Sequence, residues 1–554
     1  MTDFLTRPPF SLAPDDLAWV KQTFAALSPG EKIAQLFNLA CFSNDPAEMA
    51  HLSALQPGGI TRFFGPDLEY ELGFFDQLRV SAKVPLLFSS DLEGSRMSLP
   101  FGTQVPNPLA LAAINDDQAA RQIARITAEE AAALGVNWSF TPVLDINAAF
   151  RSPIVATRSF GSDIAIIRAQ ALAQAETLQA LGIAATLKHF PGEGHDDRDQ
   201  HLVTTANPLS LAAWEASHGS LYRAGIDAGV LCVMSAHIAF PAFVRSIDPD
   251  AELEAYRPAS INRLLNIELL RHRMGFNGLI VSDASVMAGL TSWCNVDEAK
   301  LQIIANGCDM ILFSDRPEAD MARLAAAAAS GLIPQQRLDE ALWRVLGLKA
   351  RLGLHRQSPA DPALRRQAIG TARNRATARA ITARAPTLVK DRQELLPLSP
   401  SRHARVLIIS GGIVSPQSPV PMAFDLPDLL AAEGFKITHH AADTEITRAN
   451  FDLILYLFGE ETLLTRGRIF LDWAKVSGNF IGAMQRHWHD IPTAMISFGY
   501  PYYLYDAPRV PTYINAYATM PDMQAAVLEC LMGRAPWNQT SPVDPFCGLE
   551  DARY

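Results

Sequence analysis

The chain has 554 residues, 49% hydrophobic and 19% charged, with 58 acidic against 47 basic side chains and a net charge of −11. That length holds two to four domains, or one large barrel with a smaller partner, and the apolar content excludes a disordered chain. The acidic balance excludes a general nucleic-acid binder, which needs a basic face to meet phosphates. The six cysteines (41, 232, 294, 308, 530 and 547) lack zinc-site spacing and are too few for a disulfide framework, so thiols in a reducing compartment are expected. The N-terminus, MTDFLTRPPFSLAPDD, is too polar for a signal peptide, and no run of 18 apolar residues occurs. A cytoplasmic address without a membrane partner is the expectation.

Residues 1–355 alternate short apolar runs with longer helical patterns. The strand-like runs are GGITRFF (58–64), VPLLFSSD (84–91), VNWSFTPVLD (136–145), IAATLKHF (183–190), VLCVMSAH (230–237), GLIVSD (278–283) and CDMILFS (308–314). Helical stretches such as 116–135 and 166–182 lie between them. Strands apolar throughout and alternating with helices imply parallel strands buried on both faces. Seven such units favour a (β/α) barrel with one strand missed or lost; a doubly wound sheet is the alternative. Several runs end in a polar residue: Asp91, Asp145, His189, His237 and Asp283. In a parallel barrel these ends form the rim where sites are built, although an Asp there also caps the following helix in many folds.

Residues 316–384 read as helix. The basic segment RRQAIGTARNRATARAITAR (365–384) is expected to be a solvated connector rather than a nucleic-acid arm, given the acidic chain. ELLPLSPSR (394–402) reads as a linker. RVLIIS (405–410), DLILYLF (452–458) and TAMISF (493–498) then suggest a smaller α/β domain. The expected organisation is a barrel over 1–355, a connector and linker over 356–400, and a C-terminal domain over 401–554.

The densest polar segment is KHFPGEGHDDRDQH (188–201), whose Gly192 and Gly194 mark a loop after a strand. Two chemistries compete there. Metal binding by His189, His195 and His201 is disfavoured, because two His at i and i+4 are absent. Proton transfer is favoured: Asp199 and His201 are one residue apart, and a carboxylate beside an imidazole fixes its tautomer and raises its basicity.

KHFPG-x-G followed by Asp-x-His resembles the signature loop of the β-N-acetylglucosaminidase branch of glycoside hydrolase family 3. DLEGSR (91–96), GVNWSFTPVLDIN (135–147), RSFGSD (158–163), VMSAHIAFP (233–241), RPASIN (257–262) and GFNGLIVSDASVM (275–287) follow in the family's order. PTAMISFGYPYYLYDAPRVPTYINAY (492–517) is similar to the C-terminal domain of two-domain members. The resemblance implies a (β/α)8 TIM-like barrel followed by a smaller α/β sandwich domain, acting on a carbohydrate without metal or other cofactor.

It implies that Asp283 is the nucleophile of a retaining glycosidase, that His201 is its acid and base, and that Asp199 orients His201. Asp91, Arg158, Lys188 and His189 correspond to the family's sugar-binding set. His237 and Met287 are expected at the pocket wall, with core packing an equally good account of both. The implied activity is exo-acting release of terminal N-acetylglucosamine from muropeptides or chitooligosaccharides. A β-glucosidase or β-xylosidase of the same family, a glycoside phosphorylase and a non-catalytic sugar binder are the alternatives. The sequence departs from the family at Ser95 and Leu99, where Gly and Arg are common, and at Glu193, where His is common. Leu99 bears on specificity, and Glu193 adds a carboxylate near the dyad.

Overall fold

The computed structural model describes residues 2–357, 360–416, 418 and 420–554. Eight parallel strands form the first sheet: β1 (Phe37–Cys41), β2 (Gly59–Arg62), β3 (Leu87–Ser90), β4 (Trp138–Ser139), β5 (Thr186–Phe190), β6 (Cys232–Ser235), β7 (Leu279–Ala284) and β8 (Met310–Leu312). They follow one another in chain order from β1 to β4 and from β5 to β8, and β8 pairs with β1. Parallel bridges Trp138↔Ala184 and Val143↔Lys188 join β4 to β5. The sheet therefore closes as a barrel. The strand missing from the sequence reading is β1, which follows the short helix Pro29–Ala34 with hardly a break.

Local chemistry explains the elements. The strands carry apolar side chains toward both the barrel interior and the helices, and Leu279, Ile280 and Val281 are wholly buried. The helix Asp117–Leu134 starts where the Asp116 carboxylate accepts the N–H groups of Gln118 and Ala119, and it stops at Gly135. Asp163 caps Ile164–Ala180 in the same way. Asn107 caps the helix after β3, and Met287, without a side-chain bond, precedes the helix after β7. The helices thus have their own starting residues, and Asp91, Asp145 and Asp283 are left for another purpose.

A second sheet is built from β9 (Thr387–Asp391), β10 (Arg405–Ile413), β11 (Lys436–His439), β12 (Leu453–Gly459), β13 (Thr493–Ser497) and β14 (Thr512–Asn515), in the order β9-β14-β13-β12-β10-β11. All neighbours are parallel except β9 against β14. Strand β9 lies within the stretch read as connector. The basic segment is largely exposed, as expected of a connector, and is also pinned to its neighbours. Arg365 donates to Asp76 and to the carbonyls of Ala133 and Leu134, Arg379 pairs with Asp522, and Arg384 pairs with Asp116.

The carboxyl ends of β10, β12 and β13 point at the barrel rim. Arg96 donates to the carbonyl of Val414, Leu463 N to that of Pro153 (3.2 Å), and the Tyr500 hydroxyl to that of Phe150 (2.5 Å). Just after β12, Glu461 is buried and accepts from Ser95 Oγ (2.8 Å) and Asn107 Nδ2 (3.3 Å) of the barrel. A cavity of about 180 Å³ lies at this junction, walled by Glu93, Arg96, Met97, Arg158, Glu461 and Leu464 among others. All six cysteines are free thiols. No helix among the described residues is long and apolar enough to cross a membrane.

Candidate active site

The rim groups come from opposite sides of the barrel. Asp91 follows β3 and Asp283 lies in β7, four strands away in either direction around the ring. Lys188 and His189 are in β5, and Arg158 ends the short turn Ala156–Arg158 after β4.

One side is a network of buried charges centred on Glu93. Arg158 clamps its carboxylate with two parallel bonds, Nε to Oε2 (2.8 Å) and Nη2 to Oε1 (2.9 Å). Lys188 Nζ lies 2.7 Å from Glu93 Oε1 and donates to Asp91 Oδ1 at 2.6 Å. Bidentate guanidinium–carboxylate pairing of this kind fixes orientation as well as charge. Burial alone would push Glu93 up, but Arg158 and Lys188 hold it far below the usual carboxylate range. Burial likewise opposes the charge on Lys188, and Asp91 and Glu93 overcome it, so the ammonium is raised above its ordinary value. Asp91 keeps a side-chain exposure of 31%, and this opens the network to the cleft.

His189 is set by a further carboxylate. Its Nδ1 donates to Asp145 Oδ2 at 2.6 Å, so Nε2 accepts, facing Arg158 Nη2 at 3.4 Å. Asp145 Oδ1 takes the backbone N–H groups of His189 (3.1 Å) and Glu193 (2.9 Å). Against the effect of burial, His189 and these bonds hold Asp145 below its ordinary value.

Asp283 is 8% exposed, and its Oδ1 accepts the N–H of Ala284 at 2.7 Å. Burial raises its pKa, but the imidazoles of His189, His237 and His201 more than offset this, and the carboxylate is held below its usual range. His237 is wholly buried. Its Nε2 donates to the carbonyl of Ala284 (3.0 Å) and its Nδ1 accepts from Ser260 Oγ (2.8 Å). Both nitrogens are used inside the protein, so His237 braces the Asp283 turn and offers a sugar no polar atom. Met287, 7% exposed, sits at the turn after Asp283.

The dyad is assembled on the loop after β5. His201 Nδ1 donates to Asp199 Oδ1 at 2.7 Å, and the same oxygen accepts His201 N at 2.8 Å. The other Asp199 oxygen accepts Thr465 N at 3.0 Å, a contact from the segment after β12. Despite burial, these bonds and the His201 charge hold Asp199 below its ordinary value. The His201 side chain is 24% exposed, and its Nε2 has no partner among the described residues. Two glycines shape the loop. A Cβ on Gly194 would lie 1.9 Å from the Ile146 carbonyl and one on Gly192 2.3 Å from His218 Nδ1, both at positive φ.

Glu193 is buried. Burial, then the charges of Asp145 and Asp199, push its pKa well above the ordinary value despite Arg158. Leu99 is 5% exposed and belongs to the hydrophobic core. Asp145, His189 and Glu193 bring three potential metal-ligand atoms within 4.8 Å of one another. The Asp145 oxygens already take His189 Nδ1–H and two backbone N–H groups there, an arrangement that orients an imidazole.

Glu93 and Thr465 are the principal groups outside the sequence reading. Glu93 sits in the DLEGSR motif, which is a visible signal. Thr465 contributes a backbone N–H, which no residue type announces.

Residues 30–348 match the model of the glycosyl hydrolase family 3 N terminal domain. The chain is 39% identical over 566 aligned residues to a beta-N-acetylglucosaminidase/beta-glucosidase of Cellulomonas fimi, with 99% of each chain covered. It is 32% identical to a beta-hexosaminidase of Chromobacterium violaceum, over 56% of this chain and 86% of that one. Among solved structures, a beta-glucoside phosphorylase bound to 2FGlc superposes with a TM-score of 0.91 at 33% identity, with 99% of each chain covered.

Proposed function

Because the chain belongs to glycosyl hydrolase family 3, we propose that it is an exo-acting, retaining β-N-acetylglucosaminidase that releases terminal N-acetylglucosamine from small glycans such as muropeptides or chitooligosaccharides. The observation that supports this reading is the Asp199–His201 pair, in which Nδ1 is held by the carboxylate and the imidazole stays partly exposed with Nε2 unpartnered among the described residues. Asp91, Lys188, His189 and Arg158 hold the sugar hydroxyls through charged donors and acceptors. The Asp283 carboxylate attacks the anomeric carbon as the bond to the leaving oxygen breaks, and His201 donates its Nε2 proton to that oxygen. In the second step His201 takes a proton from water, whose oxygen displaces Asp283 from the sugar. Asp199 keeps the imidazole in register and stabilises its cation.

Hydrolysis of an aryl β-N-acetylglucosaminide beside the matching β-glucoside tests the substrate, with Asp283→Ala as control. Preference for the N-acetyl sugar, abolished in the variant, supports both substrate and nucleophile. Preference for the glucoside reassigns the substrate, and an active Asp283→Ala variant rejects the nucleophile.

Phosphorolysis is the second reading, favoured by the similarity to a beta-glucoside phosphorylase. An imidazole repels phosphate less than a carboxylate does, so a phosphate oxygen displaces Asp283 in place of water. Formation of sugar 1-phosphate in phosphate buffer decides between the two acceptors.

A further inference from the structure

The residue between the two members of the dyad is wholly buried, although His201 beside it is open to the cleft. Its side-chain amide is bonded at both ends. Gln200 Nε2 donates to Glu193 Oε2 at 3.0 Å, and Gln200 Oε1 accepts the backbone N–H of His237 at 3.0 Å. Its carbonyl accepts Gly289 N (3.2 Å), and the carbonyl of His201 accepts Ala288 N (3.1 Å). The loop is thereby tied to its own start, to the segment after β6 that braces Asp283, and to the helix after β7. A Cβ at Gly289 would meet the Gln200 carbonyl at 2.3 Å, so this approach needs glycine there.

We propose that Gln200 is a positioning residue, with Glu193 as its anchor, and that the Glu193–Gln200–His237 bridge holds the Asp199–His201 dyad closed over Asp283. The bridge links the loop carrying the acid to the turn carrying the nucleophile through one planar amide. An amide serves where a shorter or charged side chain does not: it offers a donor to a carboxyl oxygen and an acceptor to a backbone N–H at once. Glu193, whose pKa burial and then the charges of Asp145 and Asp199 push well above the ordinary value, accepts through Oε2 at 3.0 Å. This assigns Glu193 a role that leaves the chemistry to Asp283 and His201.

The inference rests on His201 being the acid, so leaving-group dependence is its first readout. In the full-length protein, Gln200→Ala is expected to lower kcat/KM on an unactivated N-acetylglucosamine disaccharide by about 10- to 100-fold, and on an activated aryl glycoside by less than about threefold. Adding it to His201→Ala should cost nothing further on the disaccharide. Glu193→Gln keeps an oxygen facing Gln200 and should lose less than Glu193→Ala. Equal losses on both substrates, or none, would overturn the proposal. If His201→Ala itself affects both substrates equally, the acid assignment fails and hydrogen exchange takes over as the measure. Faster exchange of amides 199–204 in Gln200→Ala then supports the bridge, and unchanged exchange rejects it.

Discussion

Two clusters of buried guanidinium and carboxylate groups sit at opposite ends of the barrel, and they are finished differently. At the amino end of β8, Asp309 is wholly buried. It accepts from Arg271 Nη2 and Arg337 Nη2, each at 2.5 Å, with Arg344 3.9 Å away. Of the remaining guanidinium N–H groups, Arg271 donates to the carbonyls of Phe276 and Gly278, Arg337 to those of Ile304 and Cys308, and Arg337 and Arg344 to Glu340, while Arg271 Nε and Arg344 Nε have no partner among the described residues. At the rim, Glu93 gathers Arg158 and Lys188 in the same manner, but Asp91 and the imidazole of His201 remain open to the cleft. A cluster that spends most of its donors on its own carboxylates and on backbone carbonyls is a brace. A cluster with open donors and acceptors is ready for hydroxyl groups, and the carboxyl end of a barrel is where such openness is useful.

That contrast is tested first by removing the central carboxylates. Asp309→Ala leaves buried guanidiniums unpaired and should cost about 3–5 kcal/mol of stability, with kcat and KM of the remaining folded enzyme unchanged. Denaturant unfolding beside steady-state kinetics measures both, and a changed KM would erase the distinction. Glu93→Gln should destabilise less, because Asp91 still pairs with Lys188. On the proposed roles of Arg158 and Lys188 as sugar ligands and of His201 as the acid, it should raise KM about tenfold or more, equally for good and poor leaving groups.

Acid is expected to act on both clusters together. Asp309, Glu93 and Asp145 are buried, yet their partners hold them below the ordinary carboxylate range. Their folded values lie below their unfolded ones. The stability they contribute is present above the unfolded pKa of about 4 and is lost as the pH falls through the lower folded values. The melting temperature should therefore drop below about pH 4, and less steeply in Glu93→Gln.

Glu193 has the opposite sign and the smallest expected effect. Its folded value is raised, so its contribution is present below the unfolded carboxylate pKa and is lost as pH rises. Glu193→Gln should consequently gain stability at pH 7 relative to pH 4 when each is compared with the parent. No difference between the two pH values would mean that Glu193 is ionised in the folded protein.

Much of this arrangement is legible in local sequence, for definable reasons. Seven barrel strands show as apolar runs because both of their faces are buried. Strand β1 escapes because it follows a short helix with little interruption. Within 136–145 only Trp138 and Ser139 are regular strand, but the chain stays bonded to β5 through Thr186 N to the Thr141 carbonyl and Leu144 N to the Lys188 carbonyl, which brings Asp145 to His189. Asp199 and His201 are readable because they are neighbours in the chain. The two accounts of His237 cannot be separated by residue type, which does not disclose that it spends both nitrogens on Ser260 and Ala284.

The sequence by itself determined the alternation of parallel strands and helices, a second α/β unit, the placing of Asp283 at a strand end and the Asp199–His201 spacing, which depend on periodicity or on residues close together in the chain, and its motifs in order carried the family resemblance that implies the barrel. Only the tertiary structure decided which carboxylate organises Arg158 and Lys188, that Gln200 bridges two elements, and that the second sheet reaches the dyad through Thr465 N–H. Those contacts join residues far apart in sequence or use backbone atoms common to every residue type, so their partners become identifiable only when the chain has folded.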